Sequence, residues 1–182
     1  MDSSADQAAA DRHSPRAVVV TGLFGTGKTS AVEDLAERLD DKGLAYAAID
    51  LDWLGWANPT SPTHQAHTLS EIREKNLASV LANYLDAGIQ YFLIAYAVRN
   101  QEELDRLKAV LDMPVDVVEL VASQEVIKSR LETHATTGRE DDLRMAAEWS
   151  KNGYGSGFQD LTIDSEPGLP HVVDTIMARL SW

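Results

Sequence analysis

Cysteine is absent from the 182-residue chain, which excludes disulfides and thiolate metal sites. No apolar run approaches the ~18 residues that a membrane-spanning helix needs, so no membrane partner is expected. The N-terminus lacks the basic-then-apolar layout of a secretory leader, which makes the cytoplasm the expected location. Basic charge is scarce. Sixteen Lys and Arg stand against 29 Asp and Glu, a formal net charge of −13. Most of such a surface repels a phosphate-rich duplex, which argues against nucleic acid as a partner. The same field repels a nucleotide, so a site for one requires a few basic residues placed against the trend. The 44% hydrophobic and 25% charged composition is that of a globular protein, and the length suits one domain.

Residues 1–14 hold no large aliphatic side chain after Met1 and are expected to form a disordered tail, leaving 15–182 as the single domain. From Ala17 onward, short apolar runs alternate with amphipathic stretches. Residues 17–21, 44–49, 89–98, 115–121 and 161–163 read as strands. Residues 29–40 read as a helix with Val32, Leu35, Ala36 and Leu39 on one face. The Thr68–Glu71 capping box opens another helix to Ala87, with Val80, Leu81, Tyr84 and Leu85 turned inward. Asn100 and Glu103 cap a third, carrying Leu104, Leu107, Val110 and Leu111. Helices are also expected over 123–133 and 141–149, followed by a glycine-rich stretch at 152–157, and Pro170 suits the first turn of a last helix through Leu180. Residues 53–67 show no periodicity and read as a long loop. Strands alternating with helices imply a parallel sheet covered on both faces, because parallel neighbours need crossover connections.

Between the first strand and the first helix stands Gly22-Leu-Phe-Gly-Thr-Gly-Lys-Thr29, which matches G-x-x-x-x-G-K-[ST] at every fixed position. Gly22, Gly25 and Gly27 let the backbone curl until successive N–H groups face an anion-sized hollow. The helix that follows aims its positive end at the same place. Lys28 is placed to reach the β- and γ-phosphates of ATP, and the Thr29 hydroxyl to ligate Mg2+. Thr26 and Ser30 complete the expected nucleotide contacts.

This loop, with Asp50-Leu-Asp52 at the end of the second strand, resembles the P-loop small-molecule kinases, and most of all chloramphenicol phosphotransferase, adenylylsulfate kinase and gluconate kinase. The likeness in layout runs from about Ala17 to Leu180. It implies a three-layer α/β/α fold with a five-stranded parallel sheet of order 2-3-1-4-5. It also implies that an aspartate ending strand two touches the acceptor hydroxyl or the metal, a role that falls on Asp50 or Asp52. The two are expected to point to opposite sides of that strand if it runs on. A lid around 133–142 is implied as well, with Arg130 against the adenine or phosphates and Arg139 closing over the transferred group; Arg144 is a further candidate. An ion pair with Glu140, Asp141 or Asp142 is the alternative for Arg139.

Two absences narrow the chemistry. Strand three ends without the acidic residue on which motor ATPases and GTPases depend, and no Asn-Lys-x-Asp guanine-reading motif occurs. Between Asp50 and Ser70 there is no Lys or Arg. Trp53, Trp56, His64 and His67 stand there instead, a set suited to a neutral or cationic hydroxyl compound rather than a second phosphate. The two tryptophans could equally belong to the core. Tyr96 and Arg99 complete the expected acceptor contacts, although Arg99 could instead hold Glu102 and Glu103. The leading expectation is therefore transfer of the γ-phosphate of ATP to a small-molecule hydroxyl. A nucleoside monophosphate kinase would need Arg73, Arg99 and the lid arginines for its second phosphate. A regulatory protein that binds ATP without transfer is the alternative from another class.

Overall fold

A computed structural model describes residues 14–57, 69–133, 148, 151 and 157–182. Five strands are present: β1 (Arg16–Gly22), β2 (Tyr46–Asp50), β3 (Tyr91–Ala95), β4 (Val115–Val121) and β5 (Leu161–Asp164). The helices among the described residues are α1 (Lys28–Asp41), α2 (Leu51–Leu54), α3 (Leu69–Asp86), α4 (Gln101–Leu111), α5 (Gln124–Thr133) and α6 (Leu169–Leu180). All strand pairs are parallel and the order is β2-β3-β1-β4-β5, as expected.

Alternation along the central strand divides the core. Val18 and Val20 face the layer of α1 and α6, where Leu35, Leu39 and Ile176 are buried. Ala17 and Val19 face the layer of α3 and α4, where Leu77, Leu104 and Leu107 are buried. Successive side chains of a strand point to opposite faces, so a strand apolar at every position must be covered twice. The register brings the ends of the strands together: Asp50 pairs with Ala95, and Gly22 with Leu120. Carboxyl ends of parallel strands form the edge where such sheets bind ligands.

Three expectations are corrected here. The ladder of β3 stops at Ala95, although Tyr96, Ala97 and Val98 stay buried. β1 turns away at Gly22, and the Tyr96 and Val98 amides donate instead to the Val20 carbonyl and the Thr21 hydroxyl, at 3.1 and 3.0 Å. Leu51–Leu54 is helical where a loop was expected from residue 53. Tyr84 and Leu85, expected inward, are 38% and 40% exposed. An 18-residue helix is about 27 Å long and a five-residue strand about 17 Å, so the last turn of α3 overruns the sheet. Asn100 does cap α4, accepting from the Glu103 amide at 2.9 Å, and Pro170 does sit in the first turn of α6. Arg139, Arg144, His64 and His67 lie outside the described residues. So do most of the expected lid, the 141–149 helix and the glycine-rich stretch, and all of the expected tail but Ser14.

Behind β3 lies a buried polar cluster centred on Glu103, which is 5% exposed. Its carboxylate accepts from the Arg99 amide at 2.8 Å, from the Arg99 guanidinium at 2.9 and 3.2 Å, and from the Tyr96 hydroxyl at 2.5 Å. Burial alone would raise the Glu103 pKa, but the hydrogen bonds from Arg99 and Tyr96 outweigh it and hold the carboxyl below its usual 4.5. A lowered folded-state value contributes stability above the unfolded pKa, lost as pH falls through the folded one. The melting temperature should therefore drop more steeply below about pH 4.5 in the native protein than in Glu103→Gln, as followed by circular dichroism.

Candidate active site

The turn after β1 is built for an anion. Gly22, Gly25 and Gly27 all take positive φ, at 135°, 82° and 97°, and bend the chain back over the end of the strand. Within the turn the Thr26 hydroxyl donates to the Leu23 carbonyl at 2.8 Å. Gly27 caps α1 without a side-chain bond, and the first turn of α1 carries no acidic residue. Its leading N–H groups thus meet no side-chain acceptor from the cap, the arrangement that binds phosphate at helix N-termini. Lys28 is buried beside them. Its ammonium donates to the Leu23 carbonyl at 3.1 Å and lies 5.2 Å from the centre of the Phe24 ring.

Opposite this turn, β2 ends at Asp50. Its Oδ2 accepts from the Thr29 hydroxyl at 3.0 Å, and its Oδ1 accepts from the Asp52 amide at 3.0 Å. The first bond joins strand two to the phosphate turn; the second caps α2. Capping and the contact with Thr29 are therefore both performed by one side chain. Asp50 and Asp52 line one cleft instead of pointing apart. The expectation of opposite sides was wrong on strand geometry itself, since residues two apart on a strand share a face; here β2 ends at Asp50 and Asp52 follows in the helical turn of α2. No described residue donates a hydrogen bond to the Asp52 carboxylate. Burial by the cleft wall, then the charge of Asp50, push its pKa above the usual range; Lys28 and Arg73 pull the other way without cancelling this.

The cleft measures about 670 Å³. That is within the range of small-molecule sites. Residues 24–30, Asp50 and Asp52 line it together with Arg130 and Ser165 on the far side. Arg130 donates to the Ser165 hydroxyl at 2.9 Å, to the Ser165 carbonyl at 2.6 Å and to the Thr26 carbonyl at 3.3 Å. It therefore joins α5 to the phosphate turn and to the loop after β5. Glu33, Ser165, Leu169 and Val172 also line the cleft and were missed in the sequence. Ser165 was open to discovery, since it directly follows the strand-five run and so falls at the carboxyl edge. The others needed the packing of α1 and α6.

The expected acceptor residues separate. Trp53 and Trp56 are 69% and 72% exposed, so they are not core, and their rings lie 4.9 Å apart. Tyr96 is buried, with its hydroxyl engaged by Glu103 and Arg73, and Arg99 grips Glu103. Neither Tyr96 nor Arg99 is among the described residues lining the cleft.

Among the described residues no group of three acidic or histidine side chains could cage a metal. A magnesium ion asks for less. It keeps several waters and takes one or two protein oxygens together with phosphate oxygens. The Thr29 hydroxyl and the Asp50 carboxylate, 3.0 Å apart at the mouth of the phosphate turn, fit that requirement.

No protein-family model matches the sequence, and no curated protein does. Solved structures match the fold. An unliganded sugar kinase from Janibacter sp. superposes with a TM-score of 0.64 at 20% identity, over 92% of this chain and 95% of that one. A gluconokinase from Sinorhizobium meliloti gives 0.60 at 21% identity, over 92% of each chain. The Mycobacterium tuberculosis APS kinase, in complex with AMPPNP and APS, gives 0.62 at 18% identity, over 93% of this chain and 99% of that one. At these identities the likeness is one of fold alone, shared with these three kinases.

Proposed function

We propose that this protein is an ATP- and magnesium-dependent kinase that moves the γ-phosphoryl group to a hydroxyl of a small molecule such as a sugar, nucleoside, amino-sugar or related alcohol. The observation that carries this reading is the meeting of the phosphate turn and the strand-two carboxylates in one cleft, bridged by Thr29 and Asp50. Proteins of this fold include kinases of sugar, gluconate and APS. The acting unit is taken to be a single domain over 15–182, preceded by a tail and working in the cytoplasm. No described helix is long and apolar enough to cross a membrane.

The amides of residues 22–29 and the Lys28 ammonium hold the β- and γ-phosphates, Lys28 exchanging the Leu23 carbonyl for phosphate oxygens. Thr29 and Asp50 would hold the magnesium ion, which would neutralise part of the phosphate charge. Asp52 faces the acceptor. Its carboxylate takes the hydroxyl proton as the acceptor oxygen forms a bond to the γ-phosphorus and the bond to the β-phosphate oxygen breaks, its electron pair leaving with ADP. A raised pKa makes Asp52 a better proton acceptor than an ordinary surface aspartate. Arg130 borders the nucleotide away from the reacting end, and Trp53 and Trp56 stand at the acceptor side. Arg139 is proposed to close over the transferring group.

The test is ADP release from Mg·ATP with a panel of sugars, amino-sugars, nucleosides and nucleoside monophosphates, with product mass confirming one added phosphoryl group. Tight ATP binding with no transfer to any of them would replace the kinase with an ATP-dependent regulator. Arg130 gives a narrower check. Arg130→Ala should raise KM for ATP about tenfold while kcat changes less than about threefold, since it removes charged hydrogen bonds remote from the transfer. An equal loss in kcat would place Arg130 at the reacting phosphate instead.

A further inference from the structure

Charge is unevenly distributed in the cleft. The described cations lining it are Lys28 and Arg130, both beside the phosphate turn. On the acceptor side the described charged residues are Asp50 and Asp52. Two more guanidinium groups, of Arg73 and Arg99, are held by Glu103, the first mostly buried and the second half exposed. Arg73 stacks over the Tyr96 ring, 4.7 Å from its centre, donates to the Tyr96 hydroxyl, and comes within 3.9 Å of Glu103. The backbone of Gly55 covers it so closely that a Cβ there would lie 2.8 Å from the Arg73 Nε. Arg99 forks onto the same carboxylate. A second anion beside the transferring phosphate needs a cation of its own, because like charges at such separations repel by several kcal/mol when partly desolvated.

We infer that Glu103 sets the charge class of the acceptor: by holding Arg73 and Arg99 it leaves the described residues of the acceptor side acidic, so the compound phosphorylated here carries no phosphate, sulfate or carboxylate near its reacting hydroxyl. This rests on the kinase reading and adds to it the residue that decides between hydroxyl compounds and monophosphates. Glu103 touches neither substrate in this scheme. It acts through the two arginines it holds, and the acceptors that fit are neutral or carry an ammonium group, which the exposed indoles of Trp53 and Trp56 and the two aspartates would favour.

The experiment is a calorimetric titration of AMP and of gluconate into protein saturated with Mg2+ and AMPPNP, in the native chain, Glu103→Gln and Arg73→Met. Glu103→Gln should bind both anions about tenfold more tightly than the native protein, and Arg73→Met should show no gain. Native protein that already binds either anion as tightly as Glu103→Gln, or a folded Glu103→Gln with no gain, overturns the inference. Should Glu103→Gln fail to fold, the native enzyme decides through matched acceptors, glucosamine and glucose against gluconate, and adenosine against AMP. The acidic member of each set should have the lowest kcat/KM, and an acidic member turned over best overturns the inference. Absence of ADP release with every compound counts against the kinase reading alone, since the titrations report on Glu103 without turnover.

Discussion

Asp52→Asn should lower kcat about a thousandfold with whichever acceptor is used, while ATP affinity stays within about threefold of the native value. The asymmetry follows from where the side chain stands. Asp50, not Asp52, is bound to Thr29 and to the backbone of α2, so removing the Asp52 charge leaves the phosphate turn and its supports in place. What is lost is the proposed proton acceptor. Asparagine keeps the volume but cannot take the hydroxyl proton at neutral pH. Asp50→Asn should differ in kind. It weakens the bond to Thr29 and the proposed magnesium site, so its loss should include a higher magnesium requirement, whereas Asp52→Asn should show the native one. If Asp52→Asn retained more than about a tenth of native kcat, positioning alone would account for the residue and the base would have to be sought elsewhere. Single-turnover measurement with saturating Mg·ATP separates these outcomes from slow product release.

Gly22→Ala should remove nucleotide binding and destabilise the fold together. Gly22 has φ of 135°, a region that residues with a Cβ rarely adopt. A Cβ there would also overlap the Leu120 carbonyl oxygen and press on the Thr26 hydroxyl, at 3.0 Å. The obstacle is strand backbone, which cannot rotate away as a side chain can. Strain and overlap together should cost about 3 kcal/mol. For a domain of this size that is roughly a 6–12 °C fall in melting temperature. The damage is local to function as well, because β1 must pass Leu120 in register before the chain bends into the turn. Gly43→Ala is the control. It too sits at positive φ, but its Cβ would meet nothing within 4 Å. It should cost about 1 kcal/mol and leave ATP binding unchanged. Calorimetric titration with ATP and thermal melts of the two variants test both parts. Native-like ATP affinity in Gly22→Ala would show that the close approach to Leu120 can relax without opening the turn.

Much of this was legible before any tertiary contact was known. The phosphate turn is contiguous, so its eight residues carry their own geometry: glycines that allow positive φ, a lysine and a threonine at the first turn of a helix. The five strands and their parallel arrangement were legible for a similar reason, since burial on both faces leaves an unbroken apolar run such as Val18-Val-Val20. The ends of elements were less so. β3 keeps its apolar character through Val98 although its ladder stops at Ala95, because burial continues where pairing does not. Apolar runs report burial, and only the neighbouring strand decides how far hydrogen bonding extends.

The division between the two aspartates shows the same limit at the site. Their spacing placed both near the carboxyl edge, but which of them is engaged turned on the bonds that Asp50 accepts from the Thr29 hydroxyl and the Asp52 amide. Arg99 and Tyr96 are a sharper case. Either could face an acceptor as far as sequence tells, and the choice was made by Glu103, which holds both together with Arg73 from another helix. By itself, then, the sequence determined the phosphate turn, the parallel three-layer arrangement and the pair of carboxylates at the end of strand two, because each rests on residues adjacent or regularly spaced in the chain. The tertiary structure alone decided which aspartate is held by Thr29, which remains open to the cleft, and which arginines are withdrawn from it. Those outcomes depend on partners 21 or more residues away for Thr29 with Asp50 and Arg73 with Tyr96, and such meetings are set by the packing of helices on the sheet.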